Sequence, residues 1–330
     1  MSSGWDGVLS ILRCPVTGYE LVRKNGCLVT EDGSRRYPIV DNVPVLLPEH
    51  SLFALDRYEP RTDGGDHDSG AVRHNLRRLT THLPTLSRNY GTERNWARLA
   101  DELREIAKRE GRRTRVLVVG GRVAGVGAQL VLDSGDLDIL ETDVVFGPRT
   151  HLVCDAHDLP FESESFDAVV CQAVLEHVAD PFRCAAEIRR VLTTSGLVYS
   201  EIPFLQQVHG GAFDFTRFTL LGHRRLWRDF DRIAHGAHNG PGMALAWSLD
   251  YFLRSLPRSG LGRAVMKRTA RCLFFPLLYL DRWLVQRPAG ADAAGGTFFL
   301  GRKRVEPLSD RAIVASYFGV GERFGTNELP

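Results

Sequence analysis

The sequence predicts an α/β protein: a doubly wound, mostly parallel sheet preceded by a small β module and followed by extra C-terminal helices. Three observations predict it. Short apolar runs alternate with helical stretches across residues 91–304. One such run, in "RVLVVGGRVAGVGA" (115–128), leads straight into a glycine turn. Residues 8–48 carry β-prone runs separated by Thr-Gly, Asn-Gly and Asp-Gly turn signals. At 330 residues the chain is long enough for one large domain and a small one. Its 43% apolar and 25% charged residues suit a soluble chain that buries an ordinary core. A net charge of +2 argues against a dedicated nucleic-acid binder.

The elements follow in order. Residues 1–50 form the β module, and 51–90 read as a polar linker with a short helix near "AVRHNLRRL". Trp96, Leu99, Leu103 and Ile106 recur at helical spacing, so "TERNWARLADELREIAKRE" is an amphipathic helix. Strands are expected at "RVLVV", "LDILETD", "HLVC", "FDAVVCQ" and "LVYSEIP". A helix at "PFRCAAEIRRVL" is capped by Asp180, with Pro181 in its first turn. His223 to Arg228 reads as a solvated helix face, residues 243–286 as a long helical stretch, and "GTFFLGRK" as a late strand. The tail, 305–330, is weakly patterned.

Cys14, Cys27, Cys154, Cys171, Cys184 and Cys272 form no C-x-x-C pair, which suits a reducing compartment. The N-terminus lacks a basic region followed by an apolar run. "CLFFPLLYLDRWLV" is broken by Pro276, Asp281 and Arg282, so no membrane span is expected. The expected location is the cytoplasm.

A strand entering a glycine turn and a helix presents backbone N–H groups to a ligand. Gly120 and Gly125 fit G-x-x-x-x-G, but Val126-Gly127 follows instead of Lys and Ser/Thr, so this is not a phosphate-cradling loop. The dinucleotide spacing G-x-G-x-x-G is also missing, which disfavours an NAD-dependent oxidoreductase.

The ordered pieces "DAHDLPF", "SFDAVVCQAVLEHV", "DP", "EIRRVL" and "SGLVYSEIP" resemble the core of class I S-adenosylmethionine (SAM)-dependent methyltransferases of the small-molecule type. The resemblance covers residues 91–304 and implies a Rossmann-like fold with S-adenosyl-L-methionine as cofactor. It implies that Gly120 and Gly121 pass under the methionine part and that Asp143 binds the ribose hydroxyls, with Glu141 as the alternative. Asp155 and the Ala156 backbone would meet the adenine side, and Gln172 would lie near the methionine moiety. The sequence departs from the pattern at Val118, where an acid often stands, and at Arg122 and Ala124, where glycines do. Arg122 either swings aside to pair with the cofactor carboxylate or closes the site; the intact later motifs favour the first.

After the fifth strand, "PFLQQVHGGAFDFTRFTLLGHRRLW" holds His209, Asp214 and Arg217 among interleaved phenylalanines. A related pattern occurs in a subset of these methyltransferases. The expected roles are His209 as general base, Asp214 as its orienter and Arg217 as a substrate clamp, with His177 facing the acceptor. In the plainer alternative Asp214 and Arg217 only pin the loop and His177 is a locally satisfied helix residue. No metal site is read here. "ILRCPVTGYEL…YPIVDNVPVLLPE" resembles the zinc-ribbon-like activator module of some methyltransferases. The zinc positions of that module fall on Cys14, Thr17, Thr30 and Gly33, so a zinc-free module is expected, held by its own core or by docking. The expected acceptor is a small molecule; the alternatives are an RNA or protein acceptor, or a non-catalytic scaffold.

Overall fold

The computed structural model describes residues 5–53 and 84–321. Most of the expected linker, with its short helix at 71–79, lies outside them. Strands β5 (Thr114–Val119), β6 (Leu137–Asp143), β7 (Leu152–Cys154), β8 (Phe166–Gln172) and β9 (Leu192–Pro203) pair in parallel in the order β7-β6-β5-β8-β9. Alternation along β5 sends its side chains to two cores. Val116 and Val118 meet Trp96, Leu99 and Leu103 of helix α1 (Thr92–Glu110), while Leu117 and Val119 share the other core with Cys184 and Ile188, which lie on the helix after β8. Helix α2 (Gln129–Leu132) is one turn after the glycine loop. Helix α3 (Pro181–Val191) begins as the sequence predicts, with Asp180 Oδ1 accepting from Phe182 N and Arg183 N at 3.1 and 3.0 Å.

The N-terminal unit is an antiparallel meander of β1 (Leu21–Lys24), β2 (Cys27–Thr30), β3 (Arg36–Val40) and β4 (Val43–Leu46). Asn25-Gly26 and Asp41-Asn42 take positive φ at both positions of their tight hairpin turns. β4 pairs in parallel with β7, setting Val45 opposite Val153 and Leu46 opposite Cys154, so the central sheet continues into this unit. Trp5, Leu12, Leu28, Tyr37 and Leu46 belong to the same core as Leu152, Phe161 and Phe166. Of the two expectations for this unit, the structure follows docking. The Cys14 sulfur lies 3.1 Å from the Tyr37 hydroxyl and accepts from Thr17 N.

Past β9 the chain departs from the sequence reading. Helix α4 (Leu220–Leu226) is followed by β10 (Phe230–Asn239), a strand the sequence did not reveal. The late strand β11 (Gly296–Lys303) inserts antiparallel between β9 and β10. The solvated face expected over His223–Arg228 is corrected. His223 and Arg224 are buried at 0% and 2% exposure. The His223 ring lies between Thr297 Oγ1 (2.9 Å) and Ser200 Oγ (3.1 Å), and Arg224 donates to Trp227 O and Phe230 O. Burial pushes the His223 imidazole well below its ordinary pKa.

The long helical stretch is three helices: α5 (Pro241–Ser255), α6 (Gly260–Phe274) and α7 (Leu277–Leu284). Buried Asp281 of α7 accepts from Gly242 N and Met243 N at 2.7 and 2.8 Å, supplying the N-terminus of α5 with acceptors from another helix. No helix among the described residues is long and apolar enough to cross a membrane. After the short α8 (Pro288–Asp292), the tail carries one more helix, α9 (Asp310–Ala315), capped by Ser309.

Leu46 is fully buried in the core that the two units share. Leu46→Ala is expected to destabilise the protein by about 2–5 kcal/mol. In urea, far-UV circular dichroism and tryptophan fluorescence should still report one coincident transition. Separate transitions for the N-terminal unit and the main sheet would contradict a shared core.

Candidate active site

The glycine loop leaves β5 at Gly120, whose φ of +75° lies in the left-handed region. A Cβ there would also meet Val174 Cγ2 at 2.3 Å. The stricter requirement falls on Gly125, where a Cβ would stand 1.6 Å from Gln172 Oε1. Gln172 ends β8 and donates from Nε2 to Glu201 Oε2 (2.6 Å) and to Val126 O (3.3 Å). Its carboxamide therefore fills the space beneath the loop and ties it to β9. Gly121 N donates to Thr142 O at 2.8 Å, fixing the loop to β6.

The Arg122 side chain packs its stem against Gly147, so close that a Cβ on Gly147 would meet Arg122 Cγ at 1.9 Å. Its backbone N donates to Asp143 Oδ2 at 3.2 Å. The side chain has swung toward the segment after β6 while still lining the pocket. Asp143 accepts a second bond from Val145 N at 3.1 Å, and burial pushes its carboxyl pKa up. Those two backbone donors leave the carboxylate with lone pairs to spare. The alternative acid, Glu141, is held in a close pair by Arg149 Nε at 2.8 and 3.1 Å. Asp155 is more heavily engaged: Ser51 Oγ (2.6 Å), His157 N (3.0 Å) and His157 Nδ1 (2.6 Å) all reach it.

One cavity of about 1140 Å³ joins these residues to the far side of the sheet's carboxyl end. Gly120, Gly121, Arg122, Asp143, Asp155, Ala156 and Gln172 all line it, as do His177 and His209. Phe53, from the N-terminal segment, stacks on Phe213 with ring centroids 5.1 Å apart and forms part of the wall. Ala173, just past β8, also lines it with φ +53°, a strained conformation for a residue with a Cβ.

The expected trio His209, Asp214 and Arg217 is arranged differently from a base with its orienter. Asp214 accepts from the backbone N of His209 (2.7 Å) and of Gly210 (3.1 Å) and pairs with Arg217. That guanidinium holds the Asp214 carboxyl well below the usual carboxylate range. Arg217 spends its remaining donors on Gln206 O, Thr216 O and Gln207 O. Neither Asp214 nor Arg217 lines the cavity. The pair pins the loop through backbone carbonyls and N–H groups, as in the plainer alternative, while Asp214 Oδ2 also stands 3.5 Å from His209 Nδ1. On the other side of the His209 ring is Glu176, a residue the sequence reading passed over in "LEHV". His209 Nε2 and His177 Nε2 stand 3.6 and 3.7 Å from Glu176 Oε1, and the two imidazoles meet edge to face at 4.8 Å. The Glu176 carboxylate raises the His209 pKa. Glu201, which is buried, and His238, which is half-buried, both line the cavity and were missed as well. Glu201 stands inside a predicted strand, where an acid among apolar neighbours is a readable signal.

A family model described as "Methyltransferase domain" matches residues 132–200, from the end of α2 into β9. No curated protein matches the chain. Among solved structures it is similar to many chains, these three among them. One is a complex of the Haloferax volcanii Trm112 methyltransferase activator with a protein provisionally described as a methyltransferase, at 15% identity, covering 66% of this chain and 100% of that one, with TM-score 0.38. Another is the 1,6-didemethyltoxoflavin-N1-methyltransferase of Burkholderia thailandensis, at 15% identity, 70% and 84% coverage and TM-score 0.36. The third is phosphoethanolamine N-methyltransferase 2 of Haemonchus contortus, at 16% identity, 62% and 53% coverage and TM-score 0.36. At these scores the likeness assigns no residue a role. With the matched segment forming the floor of the cavity, the chain carries a methyltransferase domain. It is an enzyme of the SAM-dependent class, with S-adenosyl-L-methionine as its cofactor.

Two outcomes follow from the geometry. Gly125→Val must displace either the loop or the Gln172 carboxamide, so affinity for SAM should fall at least about tenfold, the equivalent of one lost hydrogen bond; calorimetric titration reads this, with circular dichroism as the control for folding. The second concerns His157, whose pKa the Asp155 carboxylate raises. The stability it adds is fully present below its unfolded pKa of about 6.5 and is lost as pH rises through its folded value. The difference in melting temperature between the natural chain and His157→Gln should accordingly be largest in mild acid and shrink toward alkaline pH.

Proposed function

We propose that this methyltransferase acts on a small-molecule acceptor, methylating a hydroxyl or amine that enters beside His177 and His209. The observation that carries the reading is the single cavity, continuous from the glycine loop to the two histidines. In this reading Gly120, Gly121 and the Arg122 backbone carry the methionine part of the cofactor. Asp143 accepts from the ribose hydroxyls, the Ala156 backbone meets the adenine, and Gln172 holds the loop. Asp155 supports from behind, through Ser51 and His157. The cofactor supplies a methyl group already activated by its sulfonium charge, so the protein's work is alignment and exclusion of water.

On the acceptor side, His209 is the proton acceptor, with Glu176 in the orienting place expected of Asp214. Phe53, Phe213 and Trp247 line the cavity and would bury an apolar part of the acceptor. A nucleic-acid acceptor finds less support, since Arg224 is buried and Arg228 is engaged by Leu308 O and Asp310.

Calorimetric titration tests the reading. SAM and its demethylated product should bind in the micromolar range and NAD should not. Asp143→Ala should weaken SAM by about tenfold or more, through loss of a charged acceptor. Arg122→Gly should change it less than Gly125→Val, because the arginine stem lies on Gly147. Absence of SAM binding by the natural chain would return the scaffold reading to first place.

A further inference from the structure

We propose that Glu176, His177 and His209 form a binding site for a divalent transition metal, with its remaining positions open to the acceptor. The proposal rests on the reading of this side of the cavity as the acceptor side. The three side chains each offer one ligand atom, and those atoms lie within 4.8 Å of one another. They come from two segments, the turn after β8 and the loop after β9, so the fold rather than local spacing brings them together.

Glu176 is fully buried, yet neither carboxylate oxygen has a hydrogen-bond partner. A buried ionised carboxylate without a partner is strongly disfavoured unless a cation compensates it. His177 faces it with an electron pair rather than a proton, and His209 does so in the tautomer that donates to Gln207 O. His177 Nδ1 lies 2.6 Å from Phe213 O, a carbonyl that can only accept, so Nδ1 carries the proton and Nε2 is the bare nitrogen. His209 Nδ1 has Gln207 O at 3.4 Å and Asp214 Oδ2 at 3.5 Å as acceptors, with the Arg217 Nη2 donor also at 3.5 Å; when the ring donates from Nδ1 to Gln207 O, its Nε2 is likewise bare. Both bare nitrogens point at Glu176 Oε1, at 3.7 and 3.6 Å. These separations are too long for hydrogen bonds. They are close to the spacing of about 3.4 Å between neighbouring ligands on a tetrahedral ion with bonds of about 2.1 Å.

The outer contacts fit as well. A metal-ligating histidine almost always donates its other ring N–H to a carbonyl or carboxylate, which fixes tautomer and ring orientation. Phe213 O does this for His177, and Gln207 O is placed to do it for His209. The Asp214–Arg217 pair then gains a purpose beyond pinning the loop, since it holds the backbone of His209 in register. Two imidazoles and one carboxylate select ions such as Zn²⁺, Co²⁺ or Fe²⁺ over Mg²⁺ and Ca²⁺, which prefer oxygen donors. Three protein ligands leave coordination positions free. An acceptor hydroxyl bound there would lose its proton to solvent more readily, because the ion stabilises the alkoxide; with the ion bound, this replaces His209 as the means of removing the proton.

The test uses the full chain without an affinity tag, freed of metal by a chelator, and Co²⁺ as the probe. Calorimetry should give one Co²⁺ per chain, with a visible d–d absorption band. His177→Ala and His209→Ala should each lower Co²⁺ affinity at least about tenfold while circular dichroism stays unchanged. Glu176→Gln should do the same; if its buried site does not tolerate the change, the two histidine variants carry the test. Failure to bind Co²⁺ stoichiometrically, or binding that survives both histidine variants, overturns the metal site and leaves a proton-sharing cluster. SAM titration of the same samples keeps the two readings apart. SAM binding without Co²⁺ binding sinks the metal site alone. Histidine-dependent Co²⁺ binding without SAM binding supports the metal site and sinks the cofactor reading.

Discussion

The Gln172 carboxamide is the contact on which the rest of the site depends. It stands at the end of the strand beside β5, fills the space a side chain at Gly125 would need, and bonds to both Val126 O and Glu201. Glu201 in turn accepts from the Tyr199 hydroxyl at 2.5 Å, and Tyr199 packs on Trp96 of α1. A chain of contacts thus runs from the glycine loop through two parallel strands to the helix behind the sheet. Because interiors are close-packed, such a chain has few alternative arrangements. The loop's shape is set by what lies under it as much as by its own glycines.

The N-terminal unit extends this logic to the pocket wall. By adding β4 to the edge of the parallel sheet it covers a row of backbone groups that would otherwise be open to pairing. It also delivers Ser51 to Asp155 and His50 to Asp158, and sets Phe53 against Phe213. A segment far away in sequence therefore supplies both a hydrogen bond to Asp155 and an aromatic face to the cavity wall.

The loop after β9 separates into two functions. Asp214 and Arg217 satisfy each other and the backbone, which gives the loop one conformation. His209 is left to face Glu176 and His177. Sequence proximity had grouped His209 with Asp214, since they are five residues apart. Space adds, on the other side of the ring, a carboxylate that precedes it by a full strand and helix.

The sequence by itself determined the parallel core, the strands that build it and the cap at Asp180, and it pointed to seven positions that line the cavity. Those are legible because hydrophobic period and turn chemistry are local, and because the motifs of "DAHDLPF" to "SGLVYSEIP" keep their order. Only the tertiary structure decided that the N-terminal meander joins the main sheet. It also decided that His223 and Arg224 are buried beside β10 and β11, that Gly125 is the loop's tightest glycine, and that Glu176 is the partner of His209. Each of these depends on a contact between residues distant in the chain, and neither periodicity nor local propensity carries information about which distant side chain will fill a given space.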